Sequence, residues 1–335
     1  MSGAQDIGVG VVGLGVMGRI HIGCLASGIA GARLVAVADQ DESAARVLGS
    51  EHGVAYSGSA AGLLEAPGVD AVIVATPAET HAEIVEAAAV SGKHILCEKP
   101  FDCRLEAIDR ALAAVASTGV VLQIGFQRRF DRSFQQLKEK AAAARAGDLV
   151  AIHVVSRDPL LAGPPRLIDG MSALFFDTTV HDFDMLRFLT GSEIEMVHVL
   201  ASSAIHREER IDTAVFLVRM LNGIAATIDN SQAAHGYDQR VEVFGASGLL
   251  SAENEPEDAV WVADAAGSRA PQLPYFFPQR YARAYIDQMR SFVEAASRGV
   301  SDSPSGADGR AATVAALAAQ RSVDEGRPVR VEEVG

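Results

Sequence analysis

The sequence predicts two domains in succession. The first is an α/β domain on a doubly wound parallel sheet, and the second an α+β domain with a largely antiparallel open sheet. Three observations carry this. At 335 residues the chain exceeds one ordinary domain and suits two, each able to bury its own core. Over residues 1–125 short apolar runs alternate with alanine-rich helical stretches, whereas over 126–335 strands follow one another without helices between them. Hydrophobic residues at 49% against charged residues at 21% give the balance of a globular chain, not a disordered one.

In the first domain Ile7–Gly13 is an apolar run of strand length, followed by a helix over Met17–Ala30. Leu34–Ala38 predicts a strand and Glu42–Glu51 a helix. Ala71–Ala75 is apolar throughout, as a strand covered on both faces requires. Helix Ala82–Val90, strand His94–Cys97, helix Leu105–Ser117 and strand Val120–Ile124 complete the alternation. Such an order implies parallel pairing through right-handed crossovers.

The second domain opens with helix Phe134–Ala146 and strand Leu149–Ser156. A loop containing Pro159, Gly163, Pro164 and Pro165 comes next, then a long helix across Thr178–Leu189. Strands are expected at Glu195–Ser203, Thr213–Arg219, Ile224–Asn230 and Arg240–Phe244, and helices near Arg280–Ser297 and Gly309–Val323.

Composition excludes several classes of function. A net charge of −14 opposes binding to nucleic acid or to an anionic membrane. No apolar run reaches the roughly 18 residues that span a bilayer, and the start, Met1 to Asp6, lacks the pattern of an export signal. Cys24, Cys97 and Cys103 form no CxxC pair and lie near no histidines at zinc-like spacing. The expectation is a reduced cytoplasmic protein without a metal.

Gly13-Leu14-Gly15-Val16-Met17-Gly18 fits G-x-G-x-x-G, closing an apolar strand and opening a helix. That context aims backbone N–H groups and a helix N-terminus at a pyrophosphate. Gly13 permits the tight turn, Gly15 the approach of phosphate, and Gly18 close packing of helix on strand. Asp39 ends the second strand, 21 residues after Gly18, where a carboxylate can accept from both ribose hydroxyls and repel a 2′-phosphate. No arginine adjoins it, so the cofactor is read as NAD. Asp41 suits the N-cap of the next helix better than Asp39 does.

Two further clusters bear on chemistry. Cys97-Glu98-Lys99-Pro100 follows a strand end at the sheet edge where ligands of doubly wound folds collect; Lys-Pro there fits a special backbone position or a cis bond, and equally a surface turn. Cys97 fits a small buried apolar residue better than a reactive thiol. Asp177 and His181 are four apart, so on a helix they share a face. A carboxylate beside an imidazole suits a general base for alcohol oxidation, but taken alone it also fits a common and weak ion pair. Asp182 and Asp184 suit binding to Arg187 or backbone as well as to substrate.

Taken together, the glycine fingerprint, Ala75-Thr76-Pro77 with His81, Glu98-Lys99-Pro100 and Asp177…His181 resemble the glucose–fructose oxidoreductase/inositol dehydrogenase family, in order and over almost the whole chain. The stretches 125–131, 156–159, 177–185, 236–243 and Phe276-Phe277 with Arg280-Tyr281 resemble its bacterial inositol 2-dehydrogenases. The resemblance implies a Rossmann domain over 1–125, and a substrate-binding and oligomerisation domain over 126–335. It implies catalytic Lys99, Asp177 and His181, with His181 accepting the proton and Lys99 holding the hydroxyl. Gly13 through Gly18, Asp39, Thr76, His81, Glu98 and Lys99 would bind NAD. Asp158, Asp177, Thr178, His181, Tyr237 and one of Arg128 or Arg129, with Arg128 preferred, would bind a small-molecule polyol. A homotetramer built through the face of the second sheet is the family's common assembly. Met171-Ser172-Ala173 departs from the Ser-Gly-Gly usual in inositol dehydrogenases, which leaves other inositol isomers and aldoses open as substrates. Two other fates in the family are a NAD-binding sensor, against which the retained Lys99, Asp177 and His181 argue, and glycoside cleavage by transient oxidation.

Overall fold

A computed structural model describes residues 6–159, 171–203, 211–234, 236–300 and 304–335. The loop residues Gly163, Pro164 and Pro165 lie outside the described residues. The chain divides into two units, one of residues 1–130 and 283–313, the other of 131–282 and 314–335. The division thus falls at Phe130, and residues 283–313, expected with the second domain, belong to the first.

In the first unit the elements are β1 (Ile7–Val12), α1 (Val16–Ala26), β2 (Ala32–Ala38), α2 (Glu42–His52), β3 (Ala55–Ser57), α3 (Ala60–Leu64), β4 (Ala71–Val74), α4 (His81–Val90), β5 (His94–Cys97), α5 (Leu105–Thr118) and β6 (Leu122–Ile124). The sheet is ordered β3-β2-β1-β4-β5-β6 and every pair in it is parallel. The order reverses between β1 and β4, so the crevice at their carboxyl ends is where such sheets take ligands. Ala71 to Val74 are wholly buried, which accounts for the uninterrupted apolar run. Local chemistry sets the helix ends: Asp41 caps α2 by accepting from the Ala44 N–H at 3.1 Å, and Gly53 ends it in the left-handed region with φ 65°.

The second unit begins with α6 (Arg132–Ala142) and β7 (Leu149–Pro159). Leu174–Thr179 then forms a π-helical turn leading into α7 (Val180–Thr190), where the sequence predicts α-helix from Thr178. Strands β8 (Ile194–Ser202), β9 (Thr213–Met220), β10 (Ala225–Ala234), β11 (Asp238–Gly245) and β12 (Gly248–Ala252) follow, with a small hairpin β13 (Val262–Asp264) and β14 (Gly267–Arg269). Helices α8 (Phe277–Arg280), α9 (Ala282–Arg298) and α10 (Gly306–Glu325) and the short β15 (Val329–Arg330) end the chain; α9 after its first residue and the start of α10 belong to the first unit.

The second sheet is ordered β12-β11-β7-β10-β9-β8-β15. It is antiparallel except for the β10–β7 pair, as runs of strands without crossovers require. β9 alternates buried and exposed residues strictly, so one face is a core face: Ala214, Phe216, Val218 and Met220 are buried, while Val215 and Leu217 are exposed. Phe216 meets Phe175 and Phe183 edge-on, at ring distances of 5.4 and 5.7 Å. That cluster holds the π turn and α7 on the sheet.

Candidate active site

The glycine-rich turn joins β1 to α1, and its three glycines answer to different demands. Gly13 has φ +88°, and a Cβ there would lie 2.4 Å from the Ala75 carbonyl oxygen, so the turn packs on the loop after β4. A Cβ on Gly18 would fall 1.9 Å from the Gly13 carbonyl oxygen, so the first turn of α1 lies directly on the strand end. Gly15 is different: nothing in the protein lies within 4 Å of a Cβ placed there. It is the N-cap of α1 and no side chain caps that helix, whose first turn carries no acidic residue. Orphan N–H groups at an open, uncapped helix N-terminus fit a pyrophosphate.

Asp39 anchors the turn from β2. Its Oδ2 accepts from the Leu14 N–H at 2.7 Å and its Oδ1 from the Asp41 N–H at 2.9 Å. The carboxylate is therefore held at the glycine turn, with lone pairs left over for hydroxyl donors. Val16 is exposed and Met17 half-buried in the first turn of α1.

After β4, Thr76 accepts from the Thr80 hydroxyl at 2.8 Å. His81 is buried and braced at both ring nitrogens: Nδ1 lies 2.7 Å from the Pro100 carbonyl oxygen and Nε2 2.8 Å from that of Thr76. It thus ties the loop after β4 to the loop after β5, a positioning role that its expected place beside the cofactor did not foresee. Lys99–Pro100 is a cis peptide bond, and the Lys99 side chain stems from a half-buried residue. The Glu98 carboxylate is buried; Oε1 accepts from His21 Nε2 at 2.8 Å and Oε2 from the Lys99 N–H at 3.3 Å. Burial first, then the carboxylates of Glu98 and Asp102, push the Cys97 thiol well above the ordinary thiol range, so it packs and does not attack. The two arginines after β6, Arg128 and Arg129, are both buried, and Arg129 is bound to Asp308 at 3.0 Å.

In the second unit Asp177 is exposed on the π turn, while His181 is buried in the first turn of α7. Beneath them lies a polar row set by strand register: Ser156 of β7 pairs with Asn230 of β10 on one side and Gln239 of β11 on the other. Asn230 donates to Asp182 Oδ2 at 2.9 Å and to the Thr179 hydroxyl at 3.3 Å. Gln239 accepts from the Ser156 hydroxyl at 2.9 Å and donates to Asp158 Oδ1 at 3.2 Å. The Thr178 hydroxyl makes a longer bond to Asp158 Oδ2, 3.4 Å, and accepts from Gln232 at 3.3 Å. Asp158 and Thr178, both expected at substrate, are thereby in contact. Tyr237 is buried edge-on against Phe276 and Tyr281, at ring distances of 5.7 and 5.9 Å. Ser172, in the stretch that departs from the family pattern, is buried and its N–H donates to Gln320 at 2.9 Å.

The sequence reading missed His21, Asn230, Gln232 and Gln239. A polar residue at an inward position of a predicted strand or helix was the one signal available for them. Among the described residues no group of three or more His, Cys, Asp or Glu could hold a metal ion, and no helix is long and apolar enough to cross a membrane.

Residues 7–126 match the model of an oxidoreductase family with an NAD-binding Rossmann fold, and residues 134–251 match the GFO/IDH/MocA C-terminal domain. The chain belongs to the GFO/IDH/MocA oxidoreductase family. Like its family, it is an NAD-dependent oxidoreductase, with the glycine turn and Asp39 on its NAD-binding Rossmann fold. It is 39% identical to a myo-inositol 2-dehydrogenase of Thermotoga maritima, over 97% of this chain and 99% of the relative. It is 38% identical to an inositol 2-dehydrogenase of Rhizobium meliloti, over 96% and 98% of the two chains. A crystal structure of scyllo-inositol dehydrogenase from Lactobacillus casei, with bound NAD(H) and scyllo-inositol, superposes with a TM-score of 0.91 at 28% identity, covering 98% of this chain and all of that one.

Proposed function

We propose that the chain oxidises a secondary hydroxyl of an inositol with NAD, and that the substrate is myo-inositol, giving 2-keto-myo-inositol (scyllo-inosose). Near-full-length similarity to relatives named inositol 2-dehydrogenases carries the reading. In this reading Gly13 to Gly18, Asp39, Thr76, His81, Glu98 and Lys99 bind or frame NAD, which when bound supplies the hydride acceptor. His181 takes the hydroxyl proton as the hydride leaves the same carbon, so the alcohol becomes a ketone with charge in balance. Lys99 donates to the reacting oxygen, and Asp177 orients the imidazole and engages a neighbouring hydroxyl. Arg128, Asp158, Thr178 and Tyr237 pair with the remaining ring hydroxyls. The hydrogen bonds that Asp158 accepts from Thr178 and Gln239 support the part of this that falls in the second unit, because hydroxyl-rich ligands need acceptors held in place.

The chain further works in the cytoplasm, in keeping with three buried cysteines that form no disulfide, and assembles as a homotetramer through the outer face of the second sheet. Leu200 and Val215, neighbours on adjacent strands of that face, are 70% and 43% exposed.

The test is NADH formation, read by its near-ultraviolet absorbance, across a panel of inositol isomers and aldoses with the parent and His181→Ala. Turnover on myo-inositol and a fall of about 10²–10⁴-fold in kcat for the variant are expected. Turnover confined to another isomer or an aldose would replace the substrate, with Met171-Ser172-Ala173 as the first place to look. NAD binding without turnover on any polyol would make the chain a sensor.

A further inference from the structure

We propose that His21 is a positioning residue for the dehydrogenation, acting through the Glu98 carboxylate on Lys99. The proposal rests on the reading that Lys99 handles the reacting hydroxyl.

His21 lies on α1, the helix that the glycine turn opens, and it is 0% exposed among Ile22, Cys24 and Leu25. A leucine there would fill the space without desolvating an imidazole and a carboxylate, a cost that repays itself only if the two are bonded to each other. They are: Nε2 donates to Glu98 Oε1 at 2.8 Å. Glu98 Oε2 accepts from the Lys99 N–H, and the third side of the carboxylate is shaped by the residue after β6. A Cβ on Gly125 would stand 2.8 Å from Oε2, so only glycine leaves the carboxylate where it is. Three elements (α1, the end of β5 and the end of β6) therefore fix one carboxylate, and that carboxylate fixes the main chain from which Lys99 projects. Beyond Lys99 the chain is held again, by His81 Nδ1 at the Pro100 carbonyl.

A lysine side chain has four rotatable carbons, so the aim of its ammonium depends on how firmly its root is held. A misplacement of about 1 Å at a reacting group costs up to about 10²-fold in rate. The geometry makes His21 the link between the helix that the glycine turn opens and the root of Lys99.

The test compares His21→Ala, His21→Gln and Lys99→Ala in the full-length chain. For His21→Ala we expect kcat to fall by about 10- to 100-fold, with KM for the polyol and Kd for NAD within about threefold of the parent. Deuterium uptake of the cofactor-free protein should rise across residues 96–101. His21→Gln, whose amide can reach the same carboxylate oxygen, should recover most of the rate, and His21→Ala should cost nothing more in a Lys99→Ala background. Should His21→Ala fail to fold, Gly125→Ala presses on Glu98 from the other side and carries the same expectations of rate and exchange. A Lys99→Ala enzyme at the parental rate would remove the underlying mechanism. With Lys99→Ala crippled, the proposal is overturned if His21→Ala turns over within about twofold of the parent, if exchange across 96–101 is unchanged, or if His21→Gln is no better than His21→Ala.

Discussion

Gly15 and Gly18 stand three residues apart in one turn, yet alanine should damage them in opposite ways. A Cβ on Gly18 would sit 1.9 Å from the Gly13 carbonyl oxygen, far inside the contact distance, and that oxygen belongs to backbone. Strand and helix must part to admit it, at a cost of about 1–3 kcal/mol or more, or roughly 3–10 °C in Tm for a domain of this size. A Cβ on Gly15 meets nothing, and φ −70° with ψ −158° is extended backbone that alanine adopts. As an N-cap, glycine exceeds alanine by up to about 1 kcal/mol, so Tm should fall by less than about 3 °C. In the proposed site the same methyl group would stand where the pyrophosphate approaches, and loss of one charge-assisted N–H contact costs about 1.5–3 kcal/mol, or roughly 10- to 100-fold in Kd. The assays are thermal unfolding of the cofactor-free protein and titration with NADH followed by fluorescence. Gly15→Ala should unfold like the parent and bind NADH poorly, whereas Gly18→Ala should lose stability first. If Gly15→Ala binds NADH at the parental Kd, the open helix N-terminus is not where phosphate lies. If the two variants lose equal stability, the contrast drawn from the turn is wrong.

Asp39→Ser should weaken NAD by roughly 10- to 100-fold and raise activity with NADP relative to NAD, since the charge proposed to face the 2′ position is gone; a parent enzyme that prefers NADP would contradict the role given to Asp39. Tyr237→Phe should raise KM or lower kcat/KM for the polyol and leave NAD affinity alone, and unaltered kcat/KM would make Tyr237 a packing residue only. Asp238 offers a test by pH. Burial alone would raise its pKa, but hydrogen bonds from Arg240 and Asn254 and the charges of Arg240 and Arg157 outweigh it and hold the carboxyl below the usual range. A depressed folded-state pKa contributes stability that is present above the unfolded value of about 3.9 and is lost as pH falls through the lower folded value. Asp238→Asn should therefore be less stable than the parent near neutral pH, and the gap in urea midpoint should close below about pH 4; a gap that stays constant there refutes the ion-pair account.

What the sequence made legible is what short-range chemistry dictates. G-x-G-x-x-G needs only its flanking strand and helix to be read, and Asp41 caps α2 as its position suggested. In the second sheet the apolar, β-branched runs located β7, β8, β9, β10 and β11, but not β12 or β15. Elements that exist by tertiary pairing were not legible: β3 is three residues long, β15 two, and neither carries a pattern of its own. The π turn was also hidden, because Leu174–Thr179 has a composition that α-helix would accept, and the extra residue per turn is imposed by packing. His21 could not be assigned because its partner Glu98 is 77 residues away.

The polar row beneath the π turn shows why such residues persist. Ser156, Asn230 and Gln239 are all buried, and each could be an apolar residue in a well-packed sheet. Bonds among them are worth only about 0.5–1.5 kcal/mol each, so stability is a weak reason to retain them. Their partners give a stronger one: Asn230 reaches Thr179 and Asp182, and Gln239 reaches Asp158, which in turn meets Thr178. Thr178, Thr179 and Asp182 are on the π turn and the start of α7, beside Asp177 and His181 in sequence, and Asp158 is at the end of β7. An irregular helical turn has several ways to rewind, and buried hydrogen bonds select one of them, because any other leaves an amide unsatisfied at about 1–3 kcal/mol. The row thus holds the backbone on which the proposed base and its carboxylate are carried. Register does the selecting, since a slip of one residue on β10 or β11 would turn Asn230 or Gln239 to the opposite face.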